Sequence, residues 1–178
     1  CDNAGENYKL KEACIDAEFN IQFEFTAPNS PQYNGKVERA FATAYNKIRA
    51  TLNHAGLTTE TKKKMWCECA STVIKIENIL LKNRGDKSPY EMMFGRMPNY
   101  VDDLRTFGEI AIIKDNGSKL KSKLSNRGIE AMFVGYSENH TKNVYRFMNL
   151  KTNRIMTSRD VTWIHLLYKD YMKERYGD

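Results

Sequence analysis

Hydrophobic positions repeat with two different periods along this chain, and the change falls near residue 85. Leu10, Ala13, Cys14 and Ala17 stand at helical spacing and predict a short amphipathic helix over 8–17. Ile21 to Phe25 alternates apolar and polar residues strictly, the pattern of a half-buried strand. Residues 26–35 then hold two prolines, a glycine and two asparagines, which predicts a loop. Val37, Phe41, Ala44, Ile48 and Leu52 form one stripe of a long helix over 36–54, closed by Gly56. A second long helix over 59–82 turns Met65, Cys69, Val73, Ile76 and Leu80 inward.

Past a turn-rich connector the period becomes two. Strands are predicted over 109–114, 129–136, 144–150 and 155–164, the last two joined by a tight turn at 149–153. Several short strands in so little chain predict a small antiparallel barrel. Residues 166–176 suit a short closing helix. The aromatic residues Phe133, Tyr136, Tyr145, Phe147 and Trp163 read as core rather than as platforms for stacking bases. The fold class is therefore α+β, with an expected division into 1–84, a connector over 85–106, a β-rich domain over 107–165 and a tail over 166–178.

Composition adds a polarity to that plan. Hydrophobic residues make up 41% of the 178, enough for a core. No run approaches the roughly 20 apolar residues of a membrane helix, and no membrane partner is expected. The chain opens on Cys1 without a secretory pattern, which reads as a piece of a longer polyprotein. Cysteines 1, 14, 67 and 69 lack zinc-ligand spacing and read as reduced core thiols. Formal net charge is +6, but residues 1–38 hold 3 basic and 7 acidic side chains, whereas 39–178 hold 25 and 15. The basic body suits a polyanion, and the acidic front suits a metal ion.

Two segments carry candidate chemistry. One is D-N-A-G-E-N at 2–7; the other, P-Q-Y-N-G-K-V-E-R at 31–39, delivers Glu38 into the first turn of a helix. Between Asp2 and Glu38 lie 35 residues. A glutamate so placed also suits the helix dipole, for about 0.3–1 kcal/mol. With K-S-P-Y-E-M-M-F-G at 87–95, L-R-T-F-G at 104–108, F-V-G-Y-S at 133–137 and S-R-D-V at 158–161, the ordered set resembles integrases of copia-type long-terminal-repeat retrotransposons.

That resemblance implies the C-terminal part of a ribonuclease-H-like catalytic core (helix, strand, two long helices), followed by a small barrel-like DNA-binding domain. It implies that Asp2 and Glu38 are the second and third members of an Asp-Asp-Glu triad, the first lying upstream of Cys1. Such triads hold two Mg²⁺ (or Mn²⁺) ions that serve both the attacking and the departing oxygen of a phosphodiester. The implied activity joins element DNA ends to target DNA in the nucleus, reached by way of cytoplasmic virus-like particles. Self-association belongs to the same expectation. So does DNA contact by Gln32, Asn34, Arg39, Lys47, Lys119, Lys121, Lys123 and Arg127, although loop amides and lysines also serve as turn formers and solvated surface. The alternative is a non-catalytic nucleic-acid-binding or assembly module, a decayed or domesticated remnant.

Overall fold

The computed structural model describes residues 1, 3–27, 35–81, 85–98, 101–114, 127–137, 140 and 143–177. They fall into two compact units, 1–43 and 44–178, divided within a helix.

In the first unit, helix α1 spans Gly5–Asp16. It ends with Glu18 in the left-handed region (φ 56°), while Phe19 N–H returns to the Cys14 carbonyl and Glu18 N–H to that of Ile15. These two bonds make a Schellman-type stop, here without the glycine that such a position favours. The predicted amphipathic face is not covered, because α1 buries no residue and Leu10 and Ile15 face solvent. The alternating segment at 21–25 does not become a ladder strand either. Its neighbour is Cys1, whose N-terminus donates to the Glu24 carbonyl at 2.7 Å and whose carbonyl accepts from Thr26 N–H at 2.9 Å. Two such bonds, spanning one residue, follow the parallel pattern. Phe25 stacks on Tyr8 with ring centroids 4.5 Å apart, and Tyr8 hydroxyl donates to Asn3.

Helix α2 spans Gly35–His54, close to its predicted limits, but only the second half of its stripe is buried. Ile48 and Leu52 are covered, whereas Val37 and Phe41 are 54% and 59% exposed.

In the second unit, a short turn reverses the chain into α3, Thr59–Ile79, capped by the Thr58 hydroxyl accepting from Thr61 N–H. The two helices run antiparallel: Lys62 reaches Asn53, the Cys69 thiol approaches the Ile48 carbonyl, and Lys47 pairs with Glu77. Met65, Cys69 and Val73 are buried as the periodicity predicts, while Leu80 lies beyond the helix end and is exposed. The connector holds α4, Pro89–Phe94, with Ser88 as N-cap, Pro89 in the first turn and Gly95 left-handed at its end.

Five antiparallel strands follow: β1 Glu109–Lys114, β2 Gly128–Tyr136, β3 Tyr145–Asn149, β4 Ile155–Ser158 and β5 Val161–Leu167. Their order is β4-β3-β2-β1-β5. The predicted strand over 155–164 is therefore two strands on opposite edges. Asp160 carbonyl accepts from Ser158 hydroxyl and Lys114 N–H, so the chain leaves β3's side and crosses to β1. The tight turn at 149–153 forms as expected, with the Asn149 side chain accepting from Lys151 and Thr152 N–H. Helix α5, Tyr168–Tyr176, closes the chain.

The sheet has two apolar faces. Ile110, Met132, Val134 and Met148 pack with α2, α3 and α5 residues such as Leu52, Met65, Val73 and Tyr171. Thr72 hydroxyl donates to Val134 carbonyl at 2.8 Å, and Arg146 pairs with Glu68 at 2.7 Å, fixing α3 to the sheet. Gly135 (φ 151°) permits this approach, since a Cβ there would stand 2.7 Å from the Thr72 hydroxyl.

The other face gathers Ala111, Ile113, Ala131, Phe133, Tyr136, Tyr145 and Phe147. Strands β3 and β5 are three steps apart, about 14 Å in a flat sheet. Yet the Tyr145 and Trp163 rings lie 5.3 Å apart and those of Phe147 and Trp163 5.7 Å. The sheet therefore curls round its aromatic face. It is barrel-like in that sense, but β4 and β5 do not pair and the barrel is not closed. The aromatic residues are core, as the alternation predicts.

Candidate nucleic-acid interface and acidic site

Glu38 stands in the first turn of α2 with its side chain in solvent. Gly35 opens that helix, and Lys36, Val37, Glu38 and Arg39 of its first turn are all exposed. A helix advances 100° per residue, which sets Arg39 about 100° and Lys47 about 180° round the axis from Glu38. The helix thus does not gather these three on one face. Lys47 is further engaged with Glu77 of α3, so its ammonium is shared with a carboxylate. Arg39 is exposed.

Arg127 is exposed immediately ahead of β2. With Lys114 at the end of β1 it borders a hollow of about 310 Å³, completed by Gly128, Asp160, Val161 and Thr162. Two cations beside a hydroxyl can receive a phosphate, and Asp160 is the opposing charge. Asp2, Gln32, Asn34, Lys119, Lys121 and Lys123 lie outside the described residues.

Among the described residues, no three His, Cys, Asp or Glu side chains converge to hold a metal ion. Glu38 is one of several helix-borne carboxylates among the described residues, an exposed hard oxygen donor of the kind magnesium takes. The cysteines are free thiols, but only in part core residues: Cys1 and Cys67 are exposed. Cys69 is fully buried, and burial pushes its thiol up to about 12.

Periodicity did not single out two features of the β-rich unit. Arg105 carries its guanidinium 4.5 Å above the Trp163 ring. His165 adopts φ 61° where the β1–β5 register shifts, and its Nδ1 lies 3.4 Å from the largely buried carboxylate of Glu109. The first sits inside the L-R-T-F-G motif, which was the available signal. For the second no local pattern marks a bulge.

Residues 111–174 match the family model of the retroviral polymerase SH3-like domain, a span from within β1 to most of α5. Over about nine-tenths of its length the chain is similar to retrovirus-related Pol polyproteins of plant transposons. It is 29% identical over 161 residues to that of transposon RE1 and 28% identical over 161 residues to that of RE2, both of Arabidopsis thaliana. It is 27% identical over 172 residues to that of transposon TNT 1-94 of Nicotiana tabacum. The chain spans about a tenth of the length of these relatives. The open five-stranded sheet suits an SH3-like domain, and the matches together relate this chain to a region of a retrotransposon Pol polyprotein.

Proposed function

We propose that this region is the integrase part of such a polyprotein. In this reading residues 1–84 contribute the C-terminal portion of a ribonuclease-H-like catalytic core, and the SH3-like domain binds DNA. The observation that carries it is the ordered motif set, with Glu38 presented to solvent on a helix inside a segment similar to Pol polyproteins throughout. A glutamate kept only for helix stability would serve equally well as aspartate or serine in any first turn. It would not need the preceding P-Q-Y-N-G loop or a partner acid 36 positions upstream.

Asp2 and Glu38 are proposed as ligands to magnesium or manganese, with a third carboxylate supplied from elsewhere in the polyprotein. The bound ions supply stabilisation of the oxygens that attack and leave the phosphodiester. Glu38 acts by position: a carboxylate on a rigid helix keeps its oxygens where a site of narrow tolerance requires them. Arg39, Arg127 and the run Lys119, Lys121 and Lys123 are proposed to bind DNA phosphates without reading sequence, with Gln32 and Asn34 beside the acidic site. Lys47 would have to exchange Glu77 for a phosphate to join them. Self-association and action in the nucleus belong to the same proposal. The rival is a non-catalytic DNA-binding module, favoured by the dense basic run at 114–127.

The test is joining of a labelled element end to target DNA in Mg²⁺ or Mn²⁺. Residues 1–178 alone should give no joined product, while a Pol segment extended toward its N-terminus should give it. Joining by residues 1–178 alone would contradict the need for a third acid, and failure of every extended segment that still binds DNA would favour the rival.

A further inference from the structure

The register of the sheet gathers at one end cations that lie far apart in sequence. In the antiparallel order β1 ends, β2 begins, β3 ends and β4 begins on the same side, where Lys114 pairs with Gly128. Lys114 closes β1, Arg127 precedes β2, and Lys151 and Arg154 stand in the turn between β3 and β4. That turn is fixed by its own bonds. The Asn149 side chain accepts from Lys151 and Thr152 N–H, Asn153 is left-handed (φ 56°), and the Arg154 carbonyl accepts from Asn149 N–H at 2.9 Å. Two cations on such a turn are held in place before any ligand arrives, with no further loss of backbone freedom on binding.

All four cations are exposed, and among the described residues no carboxylate pairs with them. Other cations of this unit are committed: Lys47 to Glu77, Arg146 to Glu68 and Arg175 to Glu130. Glu130, the acid that β2 carries toward this end, is thereby spent. Asp160 borders the hollow between Lys114 and Arg127 and gives its carbonyl to Lys114 N–H, but its carboxylate pairs with neither cation. The opposite end has another character. There Tyr168 N–H meets the Gly108 carbonyl, α5 begins, and the Glu109 carboxylate stands beside His165.

We infer that the end of the sheet at Lys114 is a rim that seats the backbone of duplex DNA, with Lys151 and Arg154 of the β3–β4 turn as phosphate ligands beside Lys114 and Arg127. The inference rests on the reading that the SH3-like domain binds DNA, and it adds a turn remote in sequence from the basic run at 114–127. From β1 to β4 is three strand steps, about 14 Å in a flat sheet. A duplex carries one negative charge per about 1.7 Å of its axis, so several phosphates pass within that span. Cations without a carboxylate partner can meet them without first breaking an ion pair, as Lys47 would have to. Contacts of this kind fix position on the duplex and read no sequence.

The test is fluorescence anisotropy of a short labelled duplex with the whole chain over a salt series. Lys151→Ala with Arg154→Ala should lower the slope of log affinity against log salt by up to about 1.8, since each neutralised phosphate contributes about 0.9. Lys151→Arg with Arg154→Lys should keep the parent's slope. Lys169→Ala with Lys173→Ala removes the same charge from exposed positions of α5, which begins at the opposite end, and should also keep it. Every variant should melt as the parent does; should the alanine pair not fold, Lys151→Gln with Arg154→Gln retains the side-chain stems and gives the same reading. An unchanged slope for the turn pair, or an equal fall for both pairs, overturns the inference while leaving DNA binding by the domain in place. Polyglutamate that displaces the duplex as well as unlabelled duplex of equal charge would assign the rim to an acidic protein and overturn it too. Absence of duplex binding by the folded chain overturns both the inference and the reading it rests on.

Discussion

Truncating Phe133 to alanine should cost more stability than any other single change on the aromatic face. Phe133 is 0% exposed. Its ring meets Tyr136, Tyr145, Phe147 and Trp163 at centroid distances of 5.2, 5.9, 6.2 and 5.9 Å, edge-on in each case. Those partners come from β2, β3 and β5, so the ring fills the space round which the sheet curls. Removal of a buried phenylalanine ring costs about 3–5 kcal/mol, because the cavity cannot collapse fully. Against a total of about 5–15 kcal/mol this is a large fraction. With a urea slope of about 2 kcal/mol/M, the midpoint should fall by about 1.5–2.5 M. Phe19→Ala is the control, since Phe19 is 63% exposed. It should shift the midpoint by less than about 0.3 M, a change within about 0.5 kcal/mol. Circular dichroism and tryptophan fluorescence across a urea series read both variants. Should Phe133→Ala not fold, Phe133→Leu should still show a loss of about 1–1.5 kcal/mol. Equal, small shifts for Phe133 and Phe19 variants would refute the curled aromatic core.

Gly108→Ala should destabilise by more than about 1 kcal/mol in thermal melts, because Gly108 has φ 91° and a Cβ there would stand 2.5 Å from that of Ala55. With its pKa raised to about 12, Cys69 holds almost no thiolate near neutrality. Ellman's reagent at mildly alkaline pH should therefore label exposed Cys1 and Cys67 quickly and Cys69 only on unfolding, as peptide mapping would show. Changing Lys119, Lys121 and Lys123 together to alanine should lower the slope of log affinity for duplex DNA against log salt by up to about 2.7. An unchanged slope in fluorescence anisotropy would assign the DNA contacts elsewhere.

The legible parts of this chain were those set by local period and local capping. Helix α2 follows its stripe, α3 its Thr58 cap, and the turn after β3 its Asn149. What misled was cover, which period cannot report. Ile21–Phe25 alternates like a strand, yet a ladder needs neighbours, and this segment meets Cys1 through Glu24 while Ile21 N–H turns back to the Phe19 carbonyl. Val37 and Phe41 continue the apolar stripe of Ile48 and Leu52 but face solvent. The run 155–164 holds no glycine or proline to mark a break, although its parity changes, with Met156 on the aromatic side in β4 and Val161 and Trp163 there in β5; the crossing at Ser158–Asp160 depends on a long-range bond to Lys114. Glu38 is marked as a candidate by its motif alone, whereas the curl that brings Trp163 beside Phe147 depends on distant strands meeting in space.

The integrase reading is tested most directly by Glu38→Gln in a Pol segment competent for DNA joining. The amide keeps the helix turn and the size of the side chain but removes the anionic oxygen donor. Duplex affinity and the melting curve should stay within error of the parent, while joined product in Mg²⁺ falls below detection. A Glu38→Gln protein that joins DNA at a rate near the parent's would contradict the account and leave Glu38 as no more than a residue that supports α2.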